Sequence, residues 1–170
     1  MLDTASTLIY KRIFPKLSKI FHNITKSALK ITKSPPNFPP AIYLGGTEDG
    51  TRPGELFVNN HDYATLPRHL MLSLVLHEAY PGHHLQSSYM LQKKDIPKFR
   101  TVIEDRKLSQ APSLFSMNTA FAEGWGMYCE TLGHELGLYE NPMDRYGQLR
   151  QTFKIKLWQG VSWNLIFFQS

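Results

Sequence analysis

The chain has 170 residues, of which 42% are hydrophobic and 19% charged, with a formal net charge of +5. This balance suits one compact domain, and it excludes a disordered chain or a membrane-spanning helix of about 20 apolar residues. Cys129 is the single cysteine, so an internal disulfide and a zinc site of several thiolates are excluded, and a metal site has to be built from His and carboxylates.

The positive charge is local: residues 1–40 hold seven Lys/Arg against Asp3 alone. Phe14, Leu17, Phe21 and Ile24 recur at helical spacing with Lys16, Lys19 and Lys26 between them, which predicts a basic amphipathic helical segment over residues 1–34. A solvated face packed on the rest of the domain accounts for it. The rival is a basic binding module, but aromatic interleaving and Arg enrichment are weak, so no nucleic-acid partner is expected. The N-terminus lacks the charged, apolar, small-residue order of a signal peptide, so an intracellular location is expected.

Pro35, Pro36, Pro39 and Pro40 make an extended connector and set a boundary near residue 35, with a core predicted over 35–152. Ala41 to Leu44 and Leu56 to Asn59 are short β-prone runs separated by Gly and Pro pairs, a wide hairpin or two edge strands. Thr65 as N-cap and Pro67 in the first turn open a helix whose apolar face, Leu70, Met71, Leu74 and Val75, leads into His77. A second helix is predicted from about Ser113, with Leu114, Met117, Phe121, Trp125, Tyr128 and Leu132 as its packed stripe, and a third after Asn141-Pro142. Residues 153–170 are apolar and read as a divergent or truncated end. The expected fold is mainly α with a small β hairpin or edge-strand element.

The chemistry concentrates in His77-Glu78-Ala79-Tyr80-Pro81-Gly82-His83-His84. His77 and Glu78 follow the apolar face of their helix, and an inward carboxylate needs a partner or a metal. A His-Glu pair is how many zinc hydrolases begin, with the His as ligand and the Glu as base for an activated water. On an unbroken helix His83 would be rotated about 120° from His77, and His84 would return to that face about 10 Å along the axis. Pro81-Gly82 permits a kink that returns one of them, and spacing leaves open which. The second helix offers Glu123 as a third ligand, with Glu130 and His134 on nearly the same stripe. Cys129 reads as a small buried hydrophobe.

His77 to Gln86, together with Ala122-Glu123-Gly124-Trp125-Gly126-Met127-Tyr128-Cys129-Glu130 and Asp49-Gly50-Thr51-Arg52-Pro53-Gly54 before Phe57-Val58-Asn59, closely resembles the domain of unknown function 885 family over about residues 35–150. The resemblance implies a zincin-like helical metallopeptidase domain, here incomplete, similar in arrangement to thermolysin-like oligopeptidases and carboxypeptidases. It implies one Zn²⁺ per chain held by His77, His83 and Glu123, with His83 favoured over His84, and Glu78 as general base toward a peptide substrate. His84, Tyr80, Glu130 and His134 become supporting positions. Phe57 to Asn60 becomes a strand for an extended peptide, with Asn59 or Asn60 on its backbone. Family members are much longer, and the resemblance fades from about Phe153, so a non-catalytic remnant with a vestigial or structural metal site is the alternative.

Overall fold

A computed structural model describes residues 1–25, 27–61, 66–96 and 119–153. The predicted Thr65 cap, the start of the second helix at Ser113 and the apolar 154–170 end lie outside them.

The N-terminal helical segment starts earlier than its cationic pattern suggests. Helix α1 (Leu2–Thr7) runs on through a wider-wound turn at Leu8–Ile13 and a tighter one at Phe14–Lys19, where Pro15 enters the first turn. Ala5, Leu8, Ile9, Ile13 and Leu17 form its buried stripe, and Phe21 and Ile24 pack partly buried against the same core. Strand β1 (Leu29–Lys33) follows, before the Pro-rich connector. It pairs in parallel with β3 (Gly54–Val58), while β2 (Ala41–Leu44) pairs with β3 antiparallel, so the strand order is β1-β3-β2. The hairpin is as predicted, but its second strand is central rather than an edge. Residues 1–34 thus contribute both a helix and a strand to one core with Leu56, Val58, Met71, Leu72 and Leu76.

After a short turn at Arg68–Leu70 comes α2 (Met71–Glu78), buried from Met71 through His77. Its near-continuous apolar sequence suits a helix covered on all sides. Helix α3 (His83–Gln92) starts only four residues after α2 ends. Helix α4 (Thr119–Glu135) packs along α2, and residues 142–153 form α5.

The buried face of α4 differs from the aromatic stripe expected. Ala122, Gly126, Cys129, Glu130, Leu132 and Leu136 face inward, whereas Phe121 and Tyr128 are exposed. Small residues bring α4 close to α2, and a stripe of large rings would hold the two helices apart. α4 ends in a left-handed Gly137 (φ 60°), with Gly137 N–H donating to His134 O at 3.0 Å and Leu138 N–H to Gly133 O at 2.9 Å. Arg12 donates to Leu138 O and Lys16 to Gly137 O, each at 2.9 Å. Two members of the basic face therefore bind the negative end of α4.

Candidate metal centre

His77 projects from α2 toward α4 and is 4% exposed. Its Nδ1–H donates to Glu130 Oε1 at 2.8 Å, and Ser73 Oγ, one turn earlier on α2, donates to Glu130 Oε2 at 2.6 Å. Both oxygens of a fully buried carboxylate are thus occupied. On the other side of the ring, Nε2 lies 3.2 Å from Glu123 Oε2. Gly126 of α4 lies against the ring, where an added Cβ would stand 2.5 Å from Nε2.

The break after α2 returns the chain to this point. Ala79 leaves helical geometry (φ −105°, ψ −95°), Tyr80-Pro81 is cis, and α3 begins after Gly82 (φ −69°, ψ −135°). Gly82 presses on the carbonyl of His77, with no room for a Cβ. From α4, Trp125 Nε1–H donates to Pro81 O at 3.0 Å and approaches Gly82 O at 3.3 Å. The helix that carries Glu123 therefore also fastens the turn that delivers His83. The His83 ring meets that of His77 edge-on at 4.7 Å, with its Nε2 3.7 Å from Glu123 Oε1.

One donor atom from each of His77, His83 and Glu123 lies within 4.8 Å of the others, the group of this kind found among the described residues. Ligands about 2.0–2.2 Å from a tetrahedral zinc stand about 3.4 Å apart. The N/O donor set suits such an ion, and side-chain adjustment from separations of up to 4.8 Å would bring the donors to that distance, with the half-exposed Glu123 on the open side.

His84 goes elsewhere. It is fully buried; Tyr43 Oη donates to its Nδ1 at 3.1 Å, and its Nε2 lies 3.0 Å from Tyr80 Oη and 3.2 Å from Ser27 O. Tyr80 Oη also donates to Ser27 O at 3.2 Å. One neutral tautomer satisfies all these groups, and the network ties α3 to β2 and to the segment ahead of β1. Tyr43 also reaches the other motif residue, since its backbone N–H donates to Glu78 Oε2 at 3.1 Å.

The remaining expected positions separate. His134 is exposed and stacks on Tyr139 at 4.6 Å, away from the cluster. Asn59 is buried and organises a loop: its Nδ2 donates to Phe38 O at 2.8 Å and its Oδ1 accepts from His61 N–H at 3.0 Å. Asn60 Oδ1 is buried without a hydrogen-bond partner among the described residues. Both edges of β3 are taken by β1 and β2, so an extended peptide cannot add to Phe57–Asn60. β2 is an outer strand, and its Tyr43 N–H on the side away from β3 is taken by Glu78.

The charges in the site pull against one another. Burial lowers the His77 pKa, but hydrogen bonds to Glu123 and Glu130 outweigh it and raise it to about 10. An imidazolium therefore bridges the two glutamates in the metal-free protein, and an ion engaging Nε2 displaces a proton. Burial and the His77 charge lower His83 to about 4, opposed by Glu123 and by Gln86. Burial raises Glu78 to about 7, against the opposing charge of His77. Burial raises the Cys129 thiol far above its usual range, consistent with a packed and unreactive side chain.

The architecture is thus that of a mainly helical protein with a His/Glu cluster formed between a broken helix and a later one. The chain belongs to the family of bacterial proteins of unknown function DUF885, which matches residues 1–155. The match extends the similarity through the basic N-terminal segment, beyond the 35–150 span carried by the motifs. The fold is similar to a crystal structure described as "the putative lipoprotein from Colwellia psychrerythraea", with a TM-score of 0.75 and 26% identity over 88% of this chain. The chain spans 24% of that protein's length. No curated protein matches it.

Sequence reasoning missed Tyr43, Ser73 and Gly126, and assigned Trp125 to packing. Ser73 was open to detection, since it precedes His77 by one helical turn. Tyr43 carried no signal, because nothing local says which strand faces α2.

Proposed function

We propose that the chain is the metal-binding part of a zinc-dependent hydrolase of peptide bonds. The observation that carries this reading is the convergence of His77, His83 and Glu123 donor atoms within 4.8 Å, beside a Glu78 carboxyl raised to about 7. His77, His83 and Glu123 would hold a zinc ion there, which would supply Lewis acidity toward a carbonyl oxygen and acidify a water. Glu78 then takes the proton of the attacking water and returns it to the leaving amine, a task suited to a carboxyl poised near neutral pH. The Tyr43 N–H holds one Glu78 oxygen and leaves the other for this exchange. Glu130 fixes the His77 ring through Nδ1, with Ser73 behind it. Peptide is the substrate class proposed because a metal-activated water with a carboxylate base is the chemistry of amide hydrolysis.

Two measurements test the reading. Elemental mass spectrometry on the purified chain is expected to find about one zinc per wild-type protein and none in His77→Ala. Hydrolysis of a peptide library by wild type and Glu78→Gln then tests the base, and unchanged turnover in Glu78→Gln removes it from the mechanism.

A second reading is a structural or vestigial metal site without turnover. It predicts bound zinc and metal-dependent stability with no hydrolysis. As to location, no helix among the described residues is long and apolar enough to cross a membrane. The lipoprotein description of the relative is compatible with a site of action outside the cytoplasm, against the intracellular expectation from the N-terminus.

A further inference from the structure

Gln86 lies one turn after His83 on α3 and is 8% exposed, yet among the described residues neither its amide nitrogen nor its amide oxygen has a hydrogen-bond partner. Leaving such a group buried and unpaired costs stability, because its desolvation is not repaid by a hydrogen bond. Packing alone favours an aliphatic side chain at this position, so the amide calls for another reason.

His83 shows the complementary deficit. Its Nε2 faces Glu123, and its ring packs edge-on against His77. Among the described residues no hydrogen bond holds the imidazole from behind. The contrast with His77 is direct, because there Glu130 accepts the Nδ1–H at 2.8 Å. A histidine that gives one ring nitrogen to a metal donates the other N–H to an acceptor, which sets its tautomer and orientation. Gln86 follows His83 by three residues on α3, the spacing that makes two side chains neighbours on one face of a helix.

We propose that Gln86 is the positioning residue of His83, its side-chain carbonyl accepting the His83 ring N–H when the opposite ring nitrogen engages a metal ion. The inference rests on the metal-centre reading above. A neutral amide suits this side of the site, because Glu78, Glu123 and Glu130 already bring three carboxyls to the cluster and a fourth would add repulsion.

The test measures zinc and Co²⁺ affinity by competition with a chromophoric chelator, together with the Co²⁺ absorption spectrum and the melting temperature of the metal-free protein. Gln86→Leu is expected to raise the metal-free melting temperature, since it removes an unpaired buried amide, and to weaken both metals about 10–100-fold. Gln86→Glu keeps an acceptor and is expected to bind within several-fold of wild type with a shifted Co²⁺ spectrum. Equal affinity in wild type and Gln86→Leu overturns the inference while leaving the metal centre standing. A wild type that binds neither metal overturns the metal centre itself. If Gln86→Leu does not fold, Gln86→Met serves the same comparison, and failure of both to fold marks Gln86 as structural and overturns the proposal.

Discussion

His83 and His84 are adjacent at the start of one helix and have opposite surroundings. His83 faces the cluster with a half-exposed carboxylate in front and an unpaired amide behind. His84 is closed into a network of two tyrosines and a backbone carbonyl, with every group satisfied. The difference shows how a closed hydrogen-bond network anchors a helix so that its neighbouring residue can be left open to a ligand. Both His84 ring nitrogens are engaged by groups of the surrounding fold, whereas the His83 Nε2 faces the other two members of the His/Glu cluster.

The largest test of the contrast exchanges the two losses. His83→Ala is expected to abolish stoichiometric zinc while leaving the metal-free fold close to wild type by circular dichroism. His84→Ala is expected to retain the ligand set but destabilise the fold by about 2–4 kcal/mol in urea unfolding, by stranding buried tyrosine hydroxyls and leaving a cavity. Equal effects on metal and on stability in both variants would dissolve the distinction.

Acid separates them next. Burial lowers the His84 pKa to about 4 from an ordinary 6.5, so between those values the unfolded chain binds more protons than the folded one. The His84 contribution to stability is therefore present above about pH 6.5 and is lost as pH falls toward 4, by about 3 kcal/mol. Urea midpoints across that window for wild type and His84→Gln should show a shallower decline in the variant.

A pair of glycines on α4 sharpens the comparison further. Gly126→Ala places a Cβ 2.5 Å from His77 Nε2, so a loss of about 1–3 kcal/mol and weakened zinc binding are expected. A Cβ at Gly124 meets nothing within 4 Å among the described residues, so Gly124→Ala is expected to stabilise the helix by up to about 1 kcal/mol with zinc content unchanged. An effect of similar size is that of Trp125→Phe, which keeps an aromatic ring but removes the N–H that holds Pro81 O. A loss of about 1 kcal/mol is expected, read by thermal unfolding of the metal-free protein.

Much of the architecture was legible because its signals are local. Strands at Ala41–Leu44 and Gly54–Val58, a helix into His77 and a helix carrying Glu123 follow from alternation, apolar periodicity and turn residues. The errors share a cause. Strand β1 was absorbed into a basic helix because Leu29–Lys33 is short and alternates charge with apolar residues, and only pairing with β3 makes it a strand. The stripe of α4 was assigned to its largest side chains, whereas close approach to α2 selects Ala122 and Gly126.

The sequence by itself determined that a metal site here has to use His and carboxylates, that His77, Glu78 and Glu123 are its candidates, and that Pro81-Gly82 interrupts the helix between the histidines. Tertiary structure decided that His83 rather than His84 joins His77, that Glu130 and Ser73 stand behind that ring while His134 stays outside, and that β3 is the central strand. Periodicity reports which residues share a face of one element. Which face meets which neighbour depends on the path through an irregular turn and on packing distances between helices, and those are set by contacts such as Trp125 on Pro81 and Tyr43 on His84 that are remote in the chain.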